Sequence, residues 1–576
     1  MNHHNLKKSF AIVLVLLTEM ICLSGCGSQK EIKYPFYDET GALNNNMFYR
    51  NDLTLDSPDP GCIYITEGED AGYFYVYPTS DQMSTKGFMA WRSKNLNDWE
   101  PIGVVFNPVD GSWGKENLWA PEVIYNKTDK KYYMYYSARN RFIDEESYER
   151  ALMPGLAVSD SPRGPFTQWT GTNADGIQVD ISDVFINIQK YATPKETWTT
   201  IDFSPYMDEN GEMYLFFSAS VFENDMPLIG RKGIYGIRMK DMVTPDYTTL
   251  TQLTRAGSET VSEYSSCAFE DGTDVNEAPY MLKHNGKYYL TYSMNGYNNP
   301  NYSVCQAIGD SPLGVFIKIS GDIANPVLGR ESYFDHVSGT GHHSIVSANG
   351  EMFIVYHAHK SRGLTDDFST RSIAFDRVSF YYNEKLGYDV MHANGPTYSI
   401  QPLPSVFSGY INVADKAHVD AENLVSGRKE FLNDGLVTIR QYDRDKEVVF
   451  DGEAKITLTF DTPQEVSSVL VYNSMDIGRA FAGVKRIELF PKALNSVLSE
   501  ATALPAEKMI LSCENIRFSD DYFLEDIFIR AGAAAVAEFE PIEVSKIVIY
   551  ISDKRQSDSD TQIAVSDIAI MAKTSE

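Results

Sequence analysis

Tyr132-Tyr133-Met134-Tyr135-Tyr136 is one of five short aromatic runs in the first 360 residues; the others are Tyr73-Phe74-Tyr75-Val76-Tyr77, Met213-Tyr214-Leu215-Phe216-Phe217, Tyr288-Tyr289-Leu290-Thr291-Tyr292 and Met352-Phe353-Ile354-Val355-Tyr356. About 11 to 15 residues before the second residue of each run stands a polar group: Asp59, Glu122, Asp202, Glu277 and His342. That offset fits one β-hairpin of two strands. The runs recur roughly every 60 to 80 residues, about what a four-stranded propeller blade with long loops requires. Radial packing points the first strand of every blade at one central channel. The expectation is an all-β chain built on a five-bladed β-propeller, with five polar side chains converging on its axis.

Working outward, residues 51–405 alternate β-branched and aromatic stretches with turn signals such as Asp208-Glu209-Asn210-Gly211 and His284-Asn285-Gly286. A second repeat, Asp160-Ser161-Pro162-Arg163-Gly164-Pro165-Phe166 against Asp310-Ser311-Pro312-Leu313-Gly314-Val315-Phe316, marks the outer turns of two blades. Pro402, Pro404 and Gly409 set a boundary. Beyond it, residues 410–576 carry strand patterns such as Ile456-Thr457-Leu458-Thr459-Phe460 and Ile547-Val548-Ile549-Tyr550, which predict a β-sandwich of jelly-roll type. Phe431-Leu432-Asn433-Asp434-Gly435 with Val471-Tyr472-Asn473-Ser474 resembles the discoidin-like modules. Such modules often bind sugars, but this tail has no tryptophan, and a spacer role competes with binding.

Ahead of the propeller, residues 1–25 read as a leader: Lys7 and Lys8, an apolar stretch from Phe10 to Leu23, then Ser24-Gly25-Cys26. The stretch is short for a membrane span, and small residues before a cysteine mark a cleavage site. The pattern resembles a bacterial lipoprotein signal, which implies lipid on Cys26 as the one membrane attachment and an extracytoplasmic location. Residues 26–50 are a polar tether and lead-in. Of six cysteines, Cys62, Cys267, Cys305 and Cys513 lie outside the leader without zinc or disulfide spacing and are expected to be buried. The net charge of −29 argues against nucleic acid as a partner and suits a neutral substrate.

Four of the five convergent residues are carboxylates, and three have a proline just after them: Asp59 before Pro60, Asp202 before Pro205 and Glu277 before Pro279. Acids crowded into one pocket repel, and a fold keeps such a cluster for catalysis or for a cation. Hydrolysis of a glycosidic bond needs two carboxyls in different protonation states; a third beside the acid would keep it protonated near neutral pH. His342 offers an imidazole that can hold a cation or a water.

Five motifs in order, Asp59-Pro60, Trp119-Ala120-Pro121-Glu122, Ile201-Asp202 before Asp208-Glu209-Asn210-Gly211, Glu277-Ala278-Pro279 and Gly341-His342, resemble glycoside hydrolase family 43 over about residues 52–400. The resemblance implies a carbohydrate substrate and an inverting mechanism with Asp59 as general base, Glu277 as general acid and Asp202 tuning the acid. It places Trp119 near the substrate, leaves Glu122 between substrate contact and a structural bond, and has His342 help hold an axial ion, usually calcium. Two departures bear on this assignment. Phe203 follows Asp202 where the family has proline, and Asp56 is a rival for the base.

Several activities share these acids. The family includes α-L-arabinofuranosidases, β-xylosidases, endo-arabinanases and exo-galactosidases, and an arabinofuranosyl or xylosyl linkage of plant cell walls is expected, with arabinofuranosidase first. The long stretches from Arg139 to Met153 and from Thr172 to Thr199 suggest a walled pocket. A related retaining enzyme and a non-catalytic glycan-binding surface lipoprotein are the rival readings.

Overall fold

The computed structural model describes residues 46–574, apart from 52, 81–86, 144–150, 225, 229–230, 257–274, 322, 331–336, 363–364, 397–398, 439–445, 492–507, 513–515, 519–531 and 555–559. The leader, Cys26, Cys267 and Cys513 lie outside these residues. The described residues all fall in one compact unit, Asn45–Glu576.

Five four-stranded antiparallel blades follow one another in chain order, their first strands being Gly61–Tyr64, Gly114–Asn126, Glu196–Met207, Asn276–His284 and Val337–Ala348. These first strands touch in a closed cycle, blade 1 to 2 through 5 and back to 1, so they line the axis. A small fifth strand, Met226–Pro227, is added to blade 3.

The aromatic runs are the second strands, and their continuity has a geometric cause. A strand buried on both faces reads as an unbroken apolar run whose side chains alternate between the two sides. Here Phe74 and Val76 enter the core between blades 5 and 1, whereas Tyr75 and Tyr77 enter the core between blades 1 and 2. Phe353 and Val355 likewise face blade 1, and Ile354 and Tyr356 face blade 4. Each seam between neighbouring blades has its own apolar cluster.

The ring is closed by the chain's lead-in. Phe48–Tyr49 pairs with Gln401–Pro402, and Tyr49 stacks on Phe375 at 3.9 Å. Asn51 both donates to and accepts from the Phe375 backbone. Ser57 N–H then bonds Arg371 O, and Asp56 bridges to Ser372 on the third strand of blade 5. Residues 48–57 therefore deliver Asp59 to the seam between the first and last blades.

Past a single-turn helix, Ser405–Ser408, the chain enters an eight-stranded sheet. Val448–Asn473 pairs through its first half with Ala417–Ser426 and through its second half, in parallel, with Gln562–Lys573. Ile456 and Leu458 from one half share a single core with Val469 and Val471 from the other, so the sheet folds over on itself as a β-sandwich. The Asn433-Asp434-Gly435 stretch is the docking loop. Asn394 of the propeller donates to Gly435 O and accepts from Val437 N–H, and the His392 ring meets Val437 O at 3.0 Å. Cys62 and Cys305 are buried as expected.

The long stretch 172–199 sits against its neighbours in the ring. Ile186 and Ile188 fill the core between blades 2 and 3, Ala174 N–H bonds Thr244 Oγ1 and Asn187 N–H bonds Tyr247 OH.

Candidate active site

Besides Asn117 (φ 51), a non-glycine residue of left-handed backbone stands in, or in blade 1 just before, each first strand: Asp59 (φ 52), Ala120 (φ 46), Asp202 (φ 60), Ala278 (φ 51) and His342 (φ 43). In blades 2 to 5 it sits in a break of register between the first and second strands. Left-handed non-glycine residues cost of order 1–3 kcal/mol each and persist only where surroundings hold them. What holds them is a clamp from a neighbouring blade on each N–H. Ala120 N–H bonds Thr79 Oγ1 at 2.9 Å, Asp202 N–H bonds Ser137 Oγ at 3.0 Å, and His342 N–H bonds Ser293 Oγ at 2.8 Å. Ala278 N–H bonds Asp202 Oδ2 at 3.0 Å, and Asp59 N–H bonds His357 Nδ1 at 3.1 Å. A net hydrogen bond is worth about 1 kcal/mol, so each clamp offsets much of its own strain.

This register revises the common slot expected of the five polar residues. Asp59, Asp202 and His342 hold the left-handed position itself. Glu277 stands one residue earlier, opposite Ser293, and Trp119 has the matching place in blade 2, opposite Ser137. Glu122 stands two residues beyond Ala120, so counting back from the aromatic runs had merged three different slots. Gly61, in the first strand of blade 1, has backbone of blade 2 against it: a Cβ there would meet Pro121 O at 1.9 Å.

Asp59 is the most heavily partnered acid. Arg371 Nη1 donates to Oδ1 at 2.6 Å and Thr79 Oγ1 donates to Oδ2 at 2.7 Å. His342 Nδ1 lies 3.2 Å from Oδ1; since a carboxylate only accepts, that nitrogen carries the ring proton. His357 Nδ1 is 3.4 Å from the same oxygen, but it accepts the Asp59 N–H, so it has no proton to give there. Burial alone would raise the Asp59 carboxyl, yet the Arg371 charge, with the histidines beside it, outweighs burial and holds it well below the usual range. Burial keeps both histidines neutral, pulling His357 down to about 3. Asp56 is turned to the Arg371 backbone N–H at 3.3 Å and takes no part in this set of bonds.

Asp202 and Glu277 behave in the opposite way. Burial first, then the charges of Glu277 and Asp59, push Asp202 well above the carboxylate range. Burial likewise pushes Glu277 up to about 7, against the pull of a hydrogen bond from Tyr302. The pair therefore retains one proton near neutral pH. Asp202 is the more buried, which favours the proton there, but the Ala278 N–H on Oδ2 favours the ionised form. On Glu277, Tyr302 OH occupies Oε1 at 2.7 Å and leaves Oε2 to carry a proton outward. An ionised carboxyl, Asp59, thus stands within electrostatic reach of protonated ones, the arrangement that acid–base hydrolysis needs.

Tyr302, His357 and Arg371 were not foreseen from the sequence. Tyr302 stacks on His357 at 5.5 Å, so one pair of rings joins the hydroxyl on Glu277 to the backbone clamp of Asp59. Gly341 makes room for it, because a Cβ there would lie 2.2 Å from the Tyr302 ring. A signal for three of the clamps was present: Ser137, Ser293 and His357 each follow directly on an aromatic run, and Ser218, in the same place in blade 3, donates instead to Asn276 O.

Glu122 belongs to a separate network. Ser344 Oγ lies 2.8 Å from its Oε1 and 3.1 Å from Pro60 O, and accepts the Cys62 N–H. One hydroxyl proton cannot serve both acceptors, and a protonated Glu122 resolves this by donating to Ser344, which then donates to Pro60. Burial pushes Glu122 up to about 8, consistent with that neutral form. Trp119 is half-buried. Among the described residues no three His, Cys, Asp or Glu side chains gather as a metal set. An imidazole already turned to Asp59 does not by itself fit calcium, which wants several oxygens, and no step below is routed through a cation.

The sequence model of Glycosyl hydrolases family 43 matches residues 52–385. A β-xylosidase of Xylanibacter ruminicola is 26% identical over 313 residues, spanning 50% of this chain and 84% of that protein. Xylosidase/arabinosidase 43A of Humicola insolens is 29% identical over 323 residues, with the same two shares. Among solved structures, a thermostable family-43 glycoside hydrolase is 28% identical with a TM-score of 0.44, covering 62% of this chain and 99% of that one.

Two outcomes follow from this electrostatics. Removing the Tyr302 hydroxyl takes a donor from the ionised form of Glu277, so Tyr302→Phe should move the alkaline limb of the kcat/KM profile to higher pH by on the order of half to one unit. An unmoved limb would show that Tyr302 does not set this acid. Glu122 keeps its proton to about pH 8 when folded, against 4.5 ordinarily. The folded chain then binds a proton that the unfolded chain has lost, and stability falls as pH rises through that window, by up to ~1.4 kcal/mol per unit from this group. Glu122→Gln, neutral throughout, should flatten that fall in denaturation midpoints; equal slopes in both proteins would assign it elsewhere.

Proposed function

Because the chain belongs to family 43 of the glycosyl hydrolases, a family of glycosidases, we propose that it is an inverting enzyme releasing pentosyl units from plant cell-wall polysaccharide or its oligosaccharides, with α-L-arabinofuranoside as the first substrate and β-D-xyloside as the second. The observation that carries this reading is the split of protonation states around one channel: Asp59 ionised by Arg371, Glu277 and Asp202 retaining a proton. The named activities of the relatives, xylosidase and arabinosidase, support the pentose.

In the proposed reaction Asp59 takes a proton from water as that water attacks the anomeric carbon. Glu277 gives its proton from Oε2 to the departing glycosidic oxygen. The glycosidic bond breaks, a bond from the water oxygen forms on the opposite face, and configuration inverts. Asp202 positions Glu277's strand by accepting the Ala278 N–H, while burial and the nearby Asp59 charge keep Glu277 protonated until the leaving oxygen arrives. Trp119, in the slot that Glu277 takes in blade 4, would contact the sugar. The neutral, hydrogen-bonded Glu122 is read as a tie between blades rather than a substrate contact.

The C-terminal sandwich is proposed as a rigid buttress on blade 5, since its motif loop is spent on docking. Export with lipid on Cys26 is proposed from the leader sequence alone; mass spectrometry of the mature protein should find an acylated Cys26 as its first residue, and an unmodified amino terminus elsewhere would refute it.

Nitrophenyl α-L-arabinofuranoside, β-D-xyloside and β-D-galactoside, followed by branched and linear arabinan, decide the substrate. Wild type should cleave a pentoside, with kcat lowered by about 10³-fold or more in Glu277→Gln. Silence of a folded wild type on all of them, with retained glycan binding, would favour the glycan-binding lipoprotein.

A further inference from the structure

Past the second strand of blade 1, Phe74–Tyr77, the chain continues as Pro78-Thr79-Ser80, with Thr79 and Ser80 both buried. These two residues stand between Asp59 and blade 2. Thr79 N–H bonds Pro58 O at 2.9 Å, while Ser80 N–H and Ser80 Oγ both bond Leu118 O at 3.3 Å. The backbone on either side of Trp119 is therefore held from here, at Leu118 O by Ser80 and at Ala120 N–H by Thr79 Oγ1.

The Thr79 hydroxyl has its roles fixed. It accepts the Ala120 N–H at 2.9 Å, and an ionised carboxylate only accepts, so its single proton goes to Asp59 Oδ2 at 2.7 Å. On the other carboxyl oxygen, Oδ1, stand Arg371 Nη1 at 2.6 Å and His342 Nδ1 at 3.2 Å. Each carboxylate oxygen has about two lone-pair sites. Oδ1 thus faces two donors, whereas Thr79 is the one donor on Oδ2 among the described residues, which leaves Oδ2 able to accept again. The Asp59 side chain is 10% exposed, so it is not sealed from water.

Clamping a backbone N–H does not by itself call for this bond. Ser218, which follows the aromatic run of blade 3, gives its proton to a backbone carbonyl, Asn276 O at 2.8 Å. Thr79 directs its proton to the carboxyl that would act on water, and holds that carboxyl from the side opposite Arg371.

We propose that Thr79 is a positioning residue of the hydrolysis: its hydroxyl orients Asp59 so that Oδ2 is the oxygen that takes the proton from water, and the same hydroxyl fixes the backbone beside Trp119. The assignment deepens the glycosidase reading given above and rests on it. One side chain then sets the spacing between the residue that activates water and the residue that would contact the sugar.

The test is steady-state kinetics on the nitrophenyl pentoside with the full chain and with Thr79→Val, Thr79→Cys and Thr79→Ser, beside crystal structures of the same proteins. Thr79→Val keeps the side-chain shape and removes the hydroxyl. It should lower kcat by about tenfold, raise KM, and move the acid limb of the pH profile to higher pH by about half to one unit, because ionised Asp59 loses a donor. Thr79→Ser should recover most of these losses. If Thr79→Val does not fold, Thr79→Cys carries the same comparison, since a thiol is a weak donor and a weak acceptor. In the crystals the Asp59 carboxyl and residues 118–120 should be displaced in Thr79→Val and in place in Thr79→Ser. A destabilised Thr79→Val with the kcat, KM and acid limb of wild type overturns the proposal, as does an unmoved Asp59 carboxyl. A raised KM alone overturns the alignment of Asp59. Silence of a folded wild type on every pentoside, with Asp59 displaced in Thr79→Val, would sink the catalytic reading and leave the orientation of Asp59 by Thr79 standing.

Discussion

The ion pair between Asp59 and Arg371 is the contact on which the rest of the site depends. Burial alone would leave a proton on Asp59, and a protonated acid takes none from water. Arg371 reverses that, but it reaches Asp59 only because residues 48–57 have paired along blade 5 and closed the ring. Closing the propeller and ionising Asp59 are thus one event. The other four seams clamp with a hydroxyl or carboxyl oxygen accepting a backbone N–H, and only the closing seam brings a fixed positive charge onto its acid.

The same cluster is arranged to keep its acids unlike one another. Asp59 faces one arginine, one hydroxyl and one imidazole proton, whereas Asp202 and Glu277 receive one neutral donor each. A cationic side chain beside one carboxyl and neutral donors beside the others separates their protonation. His342 and His357 contribute as neutral rings, one donating and one accepting.

The blades were legible because a strand buried on both faces must be apolar at every position, and Tyr132–Tyr136 or Tyr288–Tyr292 has no other reading in an all-β chain. The acids were legible through the prolines that follow them. Their exact slots were not, because the left-handed residue in each first strand lets Glu277 and Glu122 shift by one or two places without changing the motif around them. Arg371 and Tyr302 had no local mark of function. Arg371 is 312 residues from its partner, and only closure of the ring joins them. His357 was half visible, since it fills the position after an aromatic run where three other blades place serine. The discoidin-like stretch shows the converse: Asn433-Asp434-Gly435 was readable as a motif, yet nothing in it foretold the hydrogen bonds by which Gly435 O and Val437 N–H meet Asn394 of the propeller.

The order in which the chain is made gives the closing seam a further meaning. Asp59 leaves the ribosome among the first residues, and the partners that ionise it are among the last of the propeller. An amino-terminal portion lacking blade 5 would hold Asp59 with neither Arg371 nor His357, and the lead-in strand with no edge to pair against. No amino-terminal portion that stops short of Arg371 contains an ionised Asp59. Synthesis therefore proceeds with that ion pair unmade, and it arrives in one step when the two ends of the ring meet.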